Sequence, residues 1–206
     1  MNNTVKKELN AYGMRVLLSP HPEIRRLKKE NRPKNHGNKF WTSSWLLMDY
    51  FKQNGIEEGS RVMEIGCGWG LTGIYCAKNY DVCVTGVDID PHVFPFLQLH
   101  ADINNVNIRT MQKSFDELTC NILNETDILV GADICFWDEL IDPLRRLIKK
   151  ALLSGVKTIL IADPVRSPFE ELGEYFEDYM CGEILEWTVH QPRHIRGQIL
   201  KVSLPG

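Results

Sequence analysis

The sequence predicts an α/β fold, a doubly wound sheet of seven strands that is mostly parallel and ends in an antiparallel C-terminal hairpin. Three observations predict it. From residue 56 onward, short apolar runs alternate with helical patterns, the rhythm of parallel strands joined by crossover helices. The first apolar run leads into a cluster of glycines and then a helical pattern, "RVMEIGCGWGLTGIY" (Arg61 to Tyr75). The last two runs follow each other with only a polar, proline-containing stretch between them, which makes them a hairpin.

About 55 residues precede the alternating region, with two polar-rich, proline-punctuated segments and one clear helix, "WTSSWLLMDYFKQNG". Trp41, Trp45, Met48 and Phe51 recur there at helical spacing, and Gly55 supplies a stop. This helix is expected to pack on the sheet near its ligand edge. Strands are predicted at 61–66, 82–89, 106–111, 127–134 and 158–164, separated by helices at about 69–79, 91–103, 116–122 and 139–152. A helix at about 168–180 precedes the hairpin strands "EILEWTVH" and "GQILKVSL".

Composition sets bounds on function. Hydrophobic residues make up 43% of the chain and charged residues 25%, which excludes a disordered protein. No run approaches the roughly 18 apolar residues of a membrane span, and "MNNTVKKELN" lacks the apolar segment of a signal peptide, so a cytoplasmic protein with no membrane partner is expected. Cys67, Cys76, Cys83, Cys120, Cys135 and Cys181 lie far apart without a C-x-x-C pair, and four of them sit in apolar segments. Neither a disulfide framework nor a metal site is expected. With an antiparallel pair closing one sheet edge, a monomer is the expected state.

The net charge of −3 hides an asymmetry. Residues 1–39 carry ten Lys and Arg against three Glu, a balance of +7, whereas residues 40–206 carry a balance of −10. The chain is therefore divided into a basic N-terminal extension (1–38) and a folded domain (39–206). The stretch "RRLKKENRPKNHGNKF" has the field to attract an acidic partner or nucleic acid, and substrate recognition is a possible role for it. Such a run is more often a solvated arm, and with few aromatics interleaved nucleic acid is not the partner adopted.

The glycine cluster carries the chemistry. A strand, bend and helix in that order present free backbone N–H groups to a groove, and glycine lets a ligand come close. Asp88 in "VTGVDID", 22 residues after Gly66, stands where an acid accepts hydrogen bonds from ribose hydroxyls. The dinucleotide pattern G-x-G-x-x-G also matches at Gly68, Gly70 and Gly73, but a lone match is weak. Glu64 precedes Gly66 by two residues, where a carboxylate suits a cofactor with a positive amino group and a sulfonium and suits an anionic pyrophosphate poorly. S-adenosyl-L-methionine has that charge pattern.

"EIGCGWG" followed by "VTGVDID" resembles the first two motifs of class I S-adenosylmethionine-dependent methyltransferases, whose fold is Rossmann-like. "FWTSSWLLMDYF", "GADICFWDEL" and "LIADPVRSPF" resemble, more particularly, the family-16 group of seven-β-strand methyltransferases. That group includes protein-lysine methyltransferases and bacterial and mitochondrial relatives that modify the electron-transfer flavoprotein β subunit. The resemblance covers about residues 38–203. It implies that Trp41 lies against the cofactor, that Gly66, Cys67 and Gly68 form the loop under its methionine part, and that Asp88 binds the ribose with Ile89 beside the adenine. Phe115 in "KSFDEL" falls where relatives often carry a tryptophan next to the adenine, a departure from the pattern. Ala132 matches the small residue ending the fourth strand, and Asp133 to Phe136 match the D-x-x-Y/F motif at the substrate mouth.

These residues also have plainer readings: the glycines as a tight turn, Trp41 as core, Asp133 as a helix cap. For methyl transfer to an amine, Asp133 is assigned to aiming the acceptor's ammonium and not to general base catalysis, because a carboxylate favours the charged form. Phe136 and Trp137 offer aromatic faces to a cation and help to exclude water, with one of the two expected to pack under the following helix. Asp163 and Arg166 are left outside the catalytic set, as a pair that a turn could explain. The acceptor implied is a protein lysine, with a small amine as the alternative. Two other classes stay open: a non-catalytic cofactor-binding module, and an NAD(P)-dependent oxidoreductase. Against the oxidoreductase, no tyrosine has a lysine four residues on.

Overall fold

The computed structural model describes residues 6–34 and 36–203. Strands β1 (Glu8–Ala11) and β2 (Met14–Leu17) form an antiparallel hairpin, and α1 (Pro22–Glu30) follows. Next come α2 (Ser44–Asn54), β3 (Arg61–Ile65), α3 (Leu71–Asn79), β4 (Cys83–Asp88), α4 (Phe94–Asn104), β5 (Arg109–Gln112) and α5 (Cys120–Leu123). The chain ends with β6 (Ile128–Ala132), α6 (Ile141–Leu153), β7 (Thr158–Asp163), α7 (Ser167–Tyr179), β8 (Gly182–Val189) and β9 (Ile195–Ser203).

Seven strands form one sheet in the order β5-β4-β3-β6-β7-β9-β8. The first five are mutually parallel, and β9 inserts antiparallel between β7 and β8, so the C-terminal hairpin closes one edge. Helices cover both faces. Trp45, Leu47 and Met48 of α2, Ile74 of α3 and Leu97 of α4 belong to the core on one side. Leu123 of α5, Leu144 and Ile148 of α6 and Phe169 and Phe176 of α7 belong to the core on the other. Apolar runs that read as continuous in the sequence do so because β6 and β7 are buried from both sides. The order reverses between β3 and β6, and the loops at the carboxyl ends of these strands frame a crevice.

Four expectations need correction. Residues 8–30, read as polar and partly as a solvated arm, are folded onto the domain. Met14, Val16, Leu17, Ile24 and Leu27 are buried. The Leu17 N–H donates to His100 Nε2 at 3.1 Å, and Arg15 and Asn104 exchange backbone-to-side-chain bonds of 2.9 and 2.8 Å. The physical reason is that two or three apolar residues per element suffice when partners come from elsewhere: Trp69 and Phe96 pack with Leu17, Ile24 and Leu27.

The helix expected over 41–55 begins at Ser44, so Trp41 lies ahead of it. The helix expected over 116–122 shrinks to the four residues of α5. Of the cysteines, Cys67, Cys76 and Cys135 are buried and the other three exposed, one fewer inside than expected. Among the described residues no helix is long and apolar enough to cross a membrane, and no three His, Cys, Asp or Glu side chains group to hold a metal.

Candidate functional site

The loop after β3 climbs through Gly66, Gly68 and Gly70, all with positive φ (56°, 51° and 70°). That conformation strains any residue with a side chain, and at Gly66 a Cβ would also lie 2.6 Å from Ile134 Cγ2. The loop is fastened by the Cys67 N–H to Val87 O (3.0 Å) and the Gly70 N–H to Cys67 O (2.7 Å), after which α3 starts. Trp69 anchors it from below, stacked on Phe96 with ring centres 5.1 Å apart and donating from Nε1 to Gly37 O at 3.0 Å.

Asp88 closes the other side of the loop. Its Oδ2 accepts the Gly68 N–H at 3.0 Å and its Oδ1 the Asp90 N–H at 2.9 Å. Each oxygen keeps a further lone pair, the capacity a ribose diol requires. Burial raises the pKa of this carboxyl above its ordinary value, against the pull of the two N–H groups.

Beside the loop lies a cavity of about 330 Å³, in the size range of small-ligand sites. Of the eleven residues expected at the site, nine line it. Gly66, Gly68, Asp88, Ile89 and Phe115 form one end, with Ile89 55% exposed toward the opening. Trp41, Ala132, Asp133 and Phe136 also line it.

Glu64 and Cys67 do not. Glu64 is only 3% exposed and turns under the loop, where its Oε2 accepts the Gly73 N–H of α3's first turn at 2.8 Å. It satisfies a free donor of a helix N-terminus. Burial pushes its pKa up to about 7, against the hydrogen bond from Gly73. Cys67 contributes backbone only, since its buried side chain packs toward Gly86, where an added Cβ would lie 3.2 Å from Sγ.

Asp133 sits where the motif places it but is not free. It has positive φ (58°), and its Oδ2 accepts the Ser43 N–H at 2.9 Å. Its Oδ1 is paired with Arg166 Nη2 at 2.6 Å. Arg166 also holds Asp163, through Nη1 at 2.8 Å and its own backbone N–H at 2.9 Å. Asp163 is fully buried, and burial pushes its pKa up to about 7 despite the guanidinium. A pair that the sequence reading left as a turn is therefore one half of a carboxylate–guanidinium–carboxylate bridge reaching the cavity wall.

Phe136 and Trp137 both face the cavity, and neither packs under the helix as one was expected to. Phe136 is half-buried and Trp137 is 49% exposed, with ring centres 4.8 Å apart. His36, which sequence reasoning did not single out, joins them, its ring centre 5.8 Å from Trp41, 5.3 Å from Phe136 and 5.5 Å from Trp137. Lys39 also lines this end of the cavity. The only sequence signal for both was their place in the basic stretch just before Trp41.

The family model described as "Lysine methyltransferase" matches residues 22–178. The electron transfer flavoprotein beta subunit lysine methyltransferase of Homo sapiens is 28% identical over 143 residues, covering 65% of this chain and 52% of that protein. The chain thus spans about half the length of this relative. Among solved structures, a human methyltransferase 10 domain containing protein superposes with a TM-score of 0.61 at 14% identity, over 87% of this chain and 93% of that one. M. capricolum TrmK in complex with S-adenosyl-homocysteine gives 0.57 at 12% identity, over 80% and 68%. At those identities the two structures show a shared fold.

Proposed function

From the premise that this chain belongs to the lysine methyltransferase family, we propose that it uses S-adenosyl-L-methionine to methylate an amine, a lysine side chain of a protein. The single observation that supports it best is the assembly of Asp88, the positive-φ glycines and the Asp133–Phe136 motif around one cavity.

The residues present suit the cofactor. Asp88 holds unused lone pairs beside the glycine loop for a ribose, and the apolar faces of Ile89 and Phe115 flank the same end for an adenine. Gly68 leaves open the space a side chain would fill, so the backbone there can be approached closely. When bound, the cofactor supplies a methyl group on a positively charged sulfur, activated without help from the protein.

The chain's own part is placement and dryness. Trp41, Phe136 and Trp137 present aromatic faces that attract an ammonium and exclude water from it. Asp133, engaged by Ser43 and Arg166, fixes the wall against which the acceptor lies. Its negative charge is shared with Arg166, so attraction of the ammonium rests more on the aromatic faces than on this carboxylate.

The relative's name identifies the electron transfer flavoprotein beta subunit as that enzyme's substrate, which makes this subunit the first acceptor to try. The test uses tritium-methyl S-adenosylmethionine with the purified chain, that subunit, a desalted lysate and a mixture of small amines. Label in a discrete protein band, with S-adenosylhomocysteine binding seen by calorimetry, is expected. Label confined to the small-amine fraction would overturn the protein-lysine reading, and affinity for NAD without affinity for S-adenosylhomocysteine would overturn the cofactor assignment.

A further inference from the structure

Two lysines line the cavity, and they stand at different ends. Lys113 belongs to the ribose end, where its backbone N–H donates to Asp88 O at 3.0 Å. Lys39 belongs to the acceptor end: its Nζ lies 3.9 Å from the centre of the Trp41 ring. The other cation near that ring is Arg166, with Cζ at 5.8 Å, the group that binds Asp133.

The backbone around Lys39 is pinned while its side chain is not. The Lys34 N–H is bonded to the Asp90 carboxylate, Gly37 O accepts from Trp69 at 3.0 Å, and His36 O accepts from Trp41 at 3.2 Å. Lys39 itself is exposed and has no carboxylate partner among the described residues. A flexible four-carbon stem rooted on a fixed rim can bring its amine back over the cavity again and again. The aromatic face on which the amine now rests is the surface assigned above to an incoming ammonium.

We propose that Lys39 is an intramolecular methyl acceptor, so that the protein modifies itself at the mouth of its own site. This rests on the methyltransferase reading. Lys39 Nζ first gives up a proton to solvent, and its freed lone pair then attacks the methyl carbon. The N–C bond forms as the C–S bond breaks, the electron pair of that bond stays on sulfur, and S-adenosylhomocysteine leaves. The nitrogen takes on the positive charge that the sulfur loses, so the product is a methylammonium; Trp41 still holds it, and the charge at Lys39 is the same as before the reaction.

The full chain would be incubated alone with S-adenosylmethionine carrying a deuterated methyl group and its lysines mapped by tandem mass spectrometry, with S-adenosylhomocysteine affinity measured on the same sample. Because a tethered amine meets the cofactor at an effective concentration in the millimolar range, labelling at Lys39 is expected to exceed that at any other lysine by roughly ten-fold or more. The labelled fraction per unit time should not change when the protein is diluted. Methyl groups already present at Lys39 in the protein as purified count in favour only if Asp88→Ala protein lacks them. Label at Lys113 or elsewhere, a rate that falls on dilution, or no label although S-adenosylhomocysteine binds, overturns the inference and leaves the reading beneath it standing. Failure to bind S-adenosylhomocysteine would instead remove that reading, and the inference with it.

Discussion

Replacing Glu64 by Gln is expected to stabilise the protein above neutral pH and to flatten its pH dependence. Burial holds the carboxyl of Glu64 at a pKa of about 7, up from an ordinary 4.5, although the Gly73 N–H favours the anion. Below the lower value, native and unfolded chains both carry the proton and the group contributes nothing. Between the two values the unfolded chain has released the proton and the native chain keeps it. The native state then binds more protons, so stability falls as pH rises through this window, and the loss is complete above the upper value.

The difference of about 2.5 units, at 1.36 kcal/mol per unit, sets a ceiling of about 3 kcal/mol on this cost. Gln keeps an oxygen for the Gly73 N–H and cannot ionise. Its new amide N–H₂ stands beside Thr72, whose buried hydroxyl has no hydrogen-bond partner at normal geometry. Asp163 loses stability with the same sign over a similar window, but it is present in both proteins and drops out of the comparison. Urea unfolding of wild type and Glu64→Gln from about pH 5 to about pH 8 measures the difference directly. Wild type is expected to lose about 2 to 3 kcal/mol more than the variant across that range. Parallel curves would refute the argument, since they would mean that Glu64 is solvated or partnered enough to ionise normally in the folded chain.

Two further outcomes follow from the cavity walls. Asp88→Ala should weaken S-adenosylhomocysteine binding by about 1 to 3 kcal/mol in calorimetry through the lost bonds to the ribose, and an unchanged affinity would mean that the ribose lies elsewhere. Arg166→Met leaves Asp133 and Asp163 facing each other without their shared cation, and should cost about 3 kcal/mol or more in urea unfolding near neutral pH. Adding Asp163→Asn should restore much of that loss, and no recovery in the double variant would show that the bridge is not what the guanidinium supplies.

The parts of the fold that were legible in the sequence are those whose signals are local. The glycine loop, the alternation of strands and helices and the terminal hairpin each leave a pattern within about 20 residues. What was not legible depends on partners far away in the chain. β2 and α1 look too short and too polar to be held in place. Arg15 and Leu17 are nevertheless tied to Asn104 and His100 of α4, 89 and 83 residues on. No pattern within residues 8–30 announces those partners. Glu64 turns away from the cavity for a related reason. Its spacing from Gly66 suggested proximity to a ligand, but spacing does not say which way a side chain turns, and an uncapped Gly73 N–H lay nearer than the cavity.

The bridge at Asp133 was closer to being readable, and it changes how that residue works. β6 and β7 are parallel neighbours with Ala132 opposite Ala162, so the residues that end the two runs, in "GADI" and "IADP", come side by side at the sheet edge. Two carboxylates brought together there and shielded from water need a cation between them, and Arg166 returns from a turn that holds Val165 at φ 73° to supply it. Once neutralised in this way, Asp133 has little net charge to spare for an incoming ammonium. Its second oxygen instead fixes the Ser43 N–H, just ahead of α2 and two residues beyond Trp41. Through that bond the motif's aspartate sets the position of the aromatic wall, so under the function proposed here its part in recognition would run through Trp41 and not through direct attraction of the acceptor.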